Sequence, residues 1–378
     1  MLTIEKNKGP SLYKNIDWFL IGVVLILNVF GLLAVRTVSV HINQPSLFTK
    51  QLIASIMGIG VMIIMMLIDY KDLRVLTLPI YIGTVLLLVY VLFAGIGREE
   101  VGTNGWIDLG PVSFQPSELG KITLAIVAAF FLERIKQGNN SIKNYLMLAG
   151  SSASLIGLIL LQPDFGTSVV YMFILACMIF VFGIRYRTIL ILLGVMLLSL
   201  PVLIFGVFDK IFKDFQINRI LSFLNPEAHS RGAGYQVYMA IRYIGSGRLF
   251  GVEPGTEKAP RNVPEVSTDS IFAVVGEKWG FVGAVIIVLL FVLLLLRCLY
   301  ISRYARDLFG SYIVIGIMAM FLFHYVENIG MNIGMLPVTG IPLPFISAGG
   351  SSVLVNYMAV GIVVSISMRR QRPMFEVQ

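Results

Sequence analysis

Residues 261–296 read "RNVPEVSTDSIFAVVGEKWGFVGAVIIVLLFVLLLL", a polar, proline-broken segment that gives way at Ser270 to an apolar run broken only by Glu277 and Lys278, with Asp269 at the border. A bilayer core takes about 20 predominantly apolar residues as an α-helix, and the run from 270 to 296 meets that length. The whole chain shares its character: 57% of residues are hydrophobic, 13% are charged and the mean hydropathy is +0.85. A soluble domain holds about 45–50% apolar residues. The sequence therefore reads as an all-α, polytopic integral membrane protein.

Ten segments are apolar enough to span: 16–36, 52–68, 75–96, 117–133, 144–162, 165–183, 188–206, 270–296, 308–326 and 351–367. They form a single membrane domain over residues 1–378, interrupted by one large extracytoplasmic loop, 207–269, between the seventh and eighth. The first lacks a small-residue cleavage site and reads as an uncleaved anchor. An even number of spans puts both termini on one side. Loops on that side carry 16 of the 29 Lys and Arg residues, which makes it cytoplasmic. The net charge of +8 thus reflects orientation and contact with anionic lipid, not nucleic-acid binding. Cys177 and Cys298 fall in apolar spans and read as packing residues. The histidines His41, His229 and His324 are scattered without ligand spacing, which argues against a histidine metal site.

No internal repeat of the kind that marks many secondary transporters is visible. Within the large loop, "FDKIFKDFQINRILSFLNP" (208–226) interleaves aromatic and aliphatic residues with Lys210, Lys213 and Arg219, the pattern of a helix lying in the headgroup region. Three further stretches place polar groups at outer helix ends. In "FQPSELGK" (114–121), Pro116 suits a first helical position and Glu118 suits the positive end of the helix dipole. Lys121 has the wrong sign for that dipole and lies on the face of Glu118. An ion pair at membrane depth is costly and marks a polar cavity or site. In "LQPDFGT" (161–167), Asp164 either caps a helix or joins such a cavity. The stretch "MNIGMLPVTGIPLPFISAGGSS" (331–352) is too broken to cross lipid as a helix. Irregular backbone at a membrane needs protein or a water-filled cavity around it, and the glycine- and serine-rich end favours close approach of backbone to a ligand such as an anionic group. A tight outer turn is the plain alternative.

In the alternating topology Glu118, Lys121, Asp164 and Asp269 all lie at outer helix ends, facing one compartment, which points to one shared polar cavity. Asp269, after Ser267 and Thr268, also fits a simple N-cap.

Six blocks in order carry a resemblance: "QPSELGK", "LQPDFGTS", "INRILSFLNPE", "GYQVYMAIRYIGSG", "NVPEVSTDSIFAVVGEKWGFVGA" and "NIGMNIGMLPVTGIPLPFISAGGSS". Together they closely resemble the SEDS family of RodA, FtsW and SpoVE, from the first span to the C-terminus, and "NIGMNIG" and "GIPLPF" look more like the elongation branch, RodA. The resemblance implies a peptidoglycan glycosyltransferase that polymerises lipid II at the outer face of a bacterial cytoplasmic membrane, releasing undecaprenyl pyrophosphate. It implies that Asp269 is the essential acidic residue, that Glu118 and Lys121 are the family's paired residues and that Asp164 is its Pro-Asp residue. It also implies a class B penicillin-binding protein as transpeptidase partner, among other elongation-complex membrane proteins.

These residue types suit that chemistry. An attacking sugar hydroxyl needs a base such as the Asp269 carboxylate. A departing pyrophosphate needs positive charge from Lys121, Arg248, other loop cations, or a divalent cation (Mg or Mn) held by carboxylates and phosphate oxygens. The sequence departs from the family at Ser267, where histidine is frequent, at Ala348, where tyrosine is usual, and before Trp106, where an arginine is often found. A lipid flippase and a non-catalytic scaffold for a penicillin-binding protein are the rival readings. The topology has a direct test. A cysteine at residue 139 is expected to resist an impermeant thiol reagent applied outside the cell, and strong outside labelling there would overturn the assigned orientation.

Overall fold

A computed structural model describes residues 15–97, 105–108, 113–139, 141–183 and 233–370. In chain order these form α1 (Trp18–His41), α2 (Pro45–Leu67), α3 (Tyr70–Val75), α4 (Thr77–Ala94), β1 (Ile107–Asp108), β2 (Ser113–Phe114), α5 (Pro116–Lys136), α6 (Ile142–Leu161), α7 (Phe165–Phe182), α8 (Ala233–Ser246), α9 (Ala259–Asn262), α10 (Ile271–Arg303), α11 (Leu308–Asn332) and α12 (Gly350–Met368). Eight of them, α1, α2, α4, α6, α7, α10, α11 and α12, are long and apolar enough to cross a membrane. At 21 residues α5 is about 30 Å long and fails that test only through its charges. Three of these, on Glu118, Lys121 and Glu133, are buried in the protein rather than facing lipid. The expected span at 188–206 and the amphipathic stretch at 208–226 lie outside the described residues. The antiparallel β1–β2 pair, Ile107 opposite Phe114, is a small addition to an otherwise helical architecture.

Two helices form the centre. Of the apolar stretch of α12, 89% is buried inside the molecule, and of α11, 72%, against 22% for α4. The outer helices face their apolar residues to lipid. One end of the bundle is tied by ion pairs: Arg74 Nη2 meets Glu133 Oε1 at 2.7 Å and Asp307 Oδ2 at 3.3 Å, Arg297 Nε meets Asp17 Oδ2 at 2.8 Å and Arg369 Nε meets Asp69 Oδ2 at 3.1 Å. Tyr70 adds a hydrogen bond from its hydroxyl to Asp307 Oδ2. Three of these carboxylates also begin helices, since Asp17 accepts from Leu20 N, Asp69 from Lys71 N and Asp307 from Gly310 N, filling donors that a helix start leaves open.

The helices depart from the sequence reading at several ends and at one interior position. The run at 308–326 continues as α11 to Asn332, because the amides of Asn328 and Asn332 find buried carbonyl acceptors and a polar end is thereby held inside the bundle. α10 is kinked at Gly280, whose φ of 65° and ψ of −162° are non-helical and favour glycine. The turn after α8 fills the kink: Phe281 N donates to Arg248 O at 2.8 Å and Val282 N to Leu249 O at 3.0 Å.

Residues 333–349 form a re-entrant segment between α11 and α12, not a tight outer turn. Ile341, Leu343, Phe345, Ile346 and Ser347 are all buried. The segment reaches Gly31, about 15 Å along α1 from its His41 end. A side chain at Gly31 would put its Cβ 2.2 Å from Phe345 O. Buried backbone must be paired, and here side chains pair it: Asn328 Nδ2 donates to Ile341 O, Ser347 Oγ accepts from Leu343 N, Gln51 Nε2 donates to Ser347 O and Gln51 Oε1 accepts from Gly349 N. Gly31→Val is therefore expected to destabilise the protein by about 1–3 kcal/mol, the range for overpacking. Gly22→Val on the same helix, where a Cβ meets nothing within 4 Å, is the control. Equal melting temperatures for the two variants would refute the close contact.

Candidate functional site

The site is built from the start of α5. Ser351 in the first turn of α12 accepts from Gln115 N at 3.0 Å and donates to Ser113 O at 2.8 Å, so strand β2 and the α5 start are held to the central helix. Tyr171 of α7 donates to Ser117 O at 2.7 Å. Glu118 and Lys121 follow one turn inside, 3% and 2% exposed, with Lys121 Nζ 2.7 Å from Glu118 Oε1. The i, i+3 spacing seen in the sequence thus gives a closed ion pair out of reach of solvent. Removing one partner of such a pair strands a buried charge, at about 3–5 kcal/mol.

The ammonium has a further partner that sequence reasoning missed. Lys121 Nζ lies 3.1 Å from His324 Nε2, and His324 Nδ1 lies 3.3 Å from Pro342 O in the re-entrant segment. Spacing could not reveal this, since 203 positions separate His324 from Lys121. Glu118 Oε2 is buried with no hydrogen-bond partner among the described residues.

Asp164 stands beside this group and is also a cap: its Oδ1 accepts from Thr167 N at 3.0 Å at the start of α7. Burial pushes its carboxyl up from the ordinary carboxylate range. The Thr167 hydrogen bonds and the Lys121 charge pull it down, and Glu118 adds to the upward push. The first turn of α7 touches the re-entrant segment, where a Cβ on Gly166 would lie 2.9 Å from Thr339 O. Thr339 in turn donates to Glu327 Oε1 at 2.9 Å, a buried carboxylate that the sequence reading did not single out.

Asp269 lies in the turn before α10. Ser270 occupies the cap position, without a side-chain cap bond, so Asp269 stands one residue outside the role of N-cap. The main chain of this turn is fixed at successive residues. Ser267 O accepts from Ala348 N at 2.8 Å and Thr268 O from Ser347 Oγ at 2.6 Å. Asp269 O accepts from Asn328 Nδ2 at 2.8 Å and Asn332 Nδ2 at 2.9 Å, and Ser270 Oγ accepts from Gln236 Nε2 at 2.8 Å. His324, Asn328 and Asn332 follow at four-residue steps along one face of α11. That face joins the Lys121 ammonium to the Asp269 main chain.

The structure therefore brings Glu118, Lys121, Asp164 and Asp269 around α11 and the re-entrant segment. Arg248 is apart from them. It sits with φ 48° in the turn at the Gly280 kink, with its residue exposed, and among the described residues it shares no hydrogen bond with the group. No cluster of three or more His, Cys, Asp or Glu side chains suited to a metal ion occurs among the described residues. Against α5 lies an apolar cavity of about 310 Å³, lined by Leu119, Ile122 and Ile126 with Met65, Ile80 and Met358. None of Glu118, Lys121, Asp164, Asp269 and His324 lines it, and what the site itself offers is a buried cation among carboxylates, suited to an anionic group.

A family model described as a cell cycle protein, FtsW/RodA/SpoVE, matches residues 15–372. The chain is 35% identical over 360 residues to stage V sporulation protein E of Bacillus subtilis (strain 168), covering 93% of this chain and 96% of that one. It is 29% identical to peptidoglycan glycosyltransferase RodA of Treponema pallidum (strain Nichols), covering 94% and 98%. A solved chain from work on the structural coordination of polymerization and crosslinking by a peptidoglycan synthase complex superposes with a TM-score of 0.78 at 29% identity, covering 93% of this chain and 97% of that one. Motif order, helical architecture and whole-length similarity agree, and the chain belongs to the FtsW/RodA/SpoVE family.

Proposed function

We propose that this membrane protein is a peptidoglycan glycosyltransferase that joins lipid II units into glycan strands at the outer face of the cytoplasmic membrane, with both termini cytoplasmic. The observation that carries the reading is the linkage, through one face of α11, of the buried Glu118–Lys121–His324 group to the turn that bears Asp269. The relative named peptidoglycan glycosyltransferase RodA supports the activity. The "NIGMNIG" and "GIPLPF" wording favours a role in elongation.

In the proposed reaction a sugar hydroxyl of one lipid-linked disaccharide forms a bond to the anomeric carbon of another. The bond from that carbon to the pyrophosphate oxygen breaks, and the electron pair leaves with undecaprenyl pyrophosphate. Asp269 takes the hydroxyl proton as general base. Lys121, already desolvated, stabilises charge that develops on the leaving pyrophosphate, where low dielectric makes a fixed cation most effective. Asp164 shares this environment while holding the start of α7. A divalent cation such as Mg or Mn would offset pyrophosphate charge, but the described residues do not fit one: no three His, Cys, Asp or Glu side chains gather for it, and the open Glu118 Oε2 belongs to a carboxylate already held by the Lys121 ammonium at 2.7 Å. Arg248, exposed beside α8, is a loop cation available to the same anionic substrate. The similarity to a chain of a peptidoglycan synthase complex supports a class B penicillin-binding protein as crosslinking partner.

Asp269→Asn keeps the size of the side chain and removes the base. In proteoliposomes supplied with lipid II, a divalent cation and the partner, it is expected to lose glycan synthesis by at least about 100-fold, within the usual contribution of general base catalysis, at an unchanged melting temperature. Strands of normal length and yield, resolved on a gel, would exclude the catalytic role of Asp269. A folded, partner-binding but inactive protein also separates enzyme from scaffold.

A further inference from the structure

We propose that His324 is a positioning residue: as a neutral imidazole with its proton on Nδ1, it holds the Lys121 ammonium at the place from which it acts on the leaving group. The inference deepens the proposed glycosyl transfer and rests on that reading of Lys121.

The tautomer follows from the partners. Nδ1 faces Pro342 O at 3.3 Å, and a carbonyl only accepts, so Nδ1 carries the hydrogen. Nε2 faces Lys121 Nζ at 3.1 Å, and an ammonium only donates, so Nε2 must present its lone pair. An imidazolium would set two donors against each other inside a site where His324 is 1% exposed and Lys121 2% exposed. Lys121 thus donates one hydrogen to Glu118 Oε1 and one to His324 Nε2, and two of its three donors are fixed in direction. Lysine's flexible stem supplies no such order by itself. Glu118 lies one turn away on the same helix and can follow Lys121 in any movement of α5, whereas His324 belongs to another helix. Among the described residues only His324 hydrogen-bonds the ammonium to α11, and α11 also holds the Asp269 carbonyl through Asn328 and Asn332. The three residues on that face therefore set where cation and base stand relative to each other.

Two isosteric replacements separate this role from a structural one. His324→Gln puts an amide oxygen near the place of Nε2 and keeps an acceptor for Lys121 while giving up the bond to Pro342. His324→Asn puts an amide N–H near the place of Nδ1 and keeps the bond to Pro342 while giving up the acceptor for Lys121. The full-length protein, the two variants and Lys121→Met are compared in proteoliposomes for kcat and KM on lipid II and for melting temperature. His324→Asn is expected to lose kcat about 10- to 100-fold, the effect of a misplaced catalytic group, with KM little changed and the melting temperature held. His324→Gln is expected to retain most of kcat even where its melting temperature falls. A wild-type kcat for His324→Asn, or a His324→Gln protein as inactive as His324→Asn, would overturn the inference while an inactive Lys121→Met leaves the site reading intact. Normal turnover by Lys121→Met would overturn both.

Discussion

Irregular backbone buried among membrane helices must find hydrogen-bond partners that neither lipid nor water supplies, and the segment 333–349 imposes this demand on everything around it. Its carbonyls at Ile341, Pro342 and Ser347 are taken by Asn328, His324 and Gln51. Those partners are not passive fillers. His324 turns its other nitrogen to Lys121, and Asn328 gives a second hydrogen bond to Asp269 O. Ser347 Oγ, which accepts from Leu343 N within the segment, donates to Thr268 O. The atoms that make the segment tolerable are thus the atoms that locate the candidate site.

The energetics of the Glu118–Lys121 pair point the same way. Desolvating two charges costs several kcal/mol per ion, and their attraction repays this only with good geometry and further hydrogen bonds. At 2.7 Å, with His324 as a second acceptor, the ammonium is well satisfied, yet Glu118 Oε2 remains unpartnered among the described residues. An apolar pair of equal volume would serve the fold at least as well. A pair kept at this depth with one oxygen unfilled is better explained by chemistry than by stability.

Much of the site was legible in the sequence because it is written in local terms. Helix periodicity set Glu118 and Lys121 on one face. A Pro-Asp pair offered Asp164 as a helix cap or a cavity residue, and the prolines and glycines of 331–352 ruled out a lipid-crossing helix there. What could not be read depends on tertiary partners. His324 looked like a stray histidine, since its meaning comes from a lysine on another helix and a proline carbonyl in a distant segment. The span read at 308–326 stopped short of "ENIGMN" (327–332), which is helical because Asn328 and Asn332 have carbonyls to meet. Gly31 passed as one more residue of an apolar run, although it is where the re-entrant backbone touches α1. Asp269 fitted a capping pattern locally, whereas the start of α10 puts Ser270 in the cap position, without a side-chain cap bond.

The two ends of the bundle are built for different purposes. At one, arginines close on carboxylates from other parts of the chain: Arg74 bridges Glu133 and Asp307, Arg297 holds Asp17, and Arg369 holds Asp69. These pairs tie α3, α5, α10, α12 and the approaches to α1 and α11 together, and three of the carboxylates serve as helix caps as well. At the other end the buried charges gather around a segment whose own backbone needs support. Alternating transport would require the tied end to open, parting several charge pairs at once. Chemistry confined to one face asks for no such movement. The asymmetry therefore favours a fixed catalytic mouth over a carrier, and in the proposed reaction the main-chain hold on Asp269 serves the same end: groups that act on a developing charge are most effective when they are already in place.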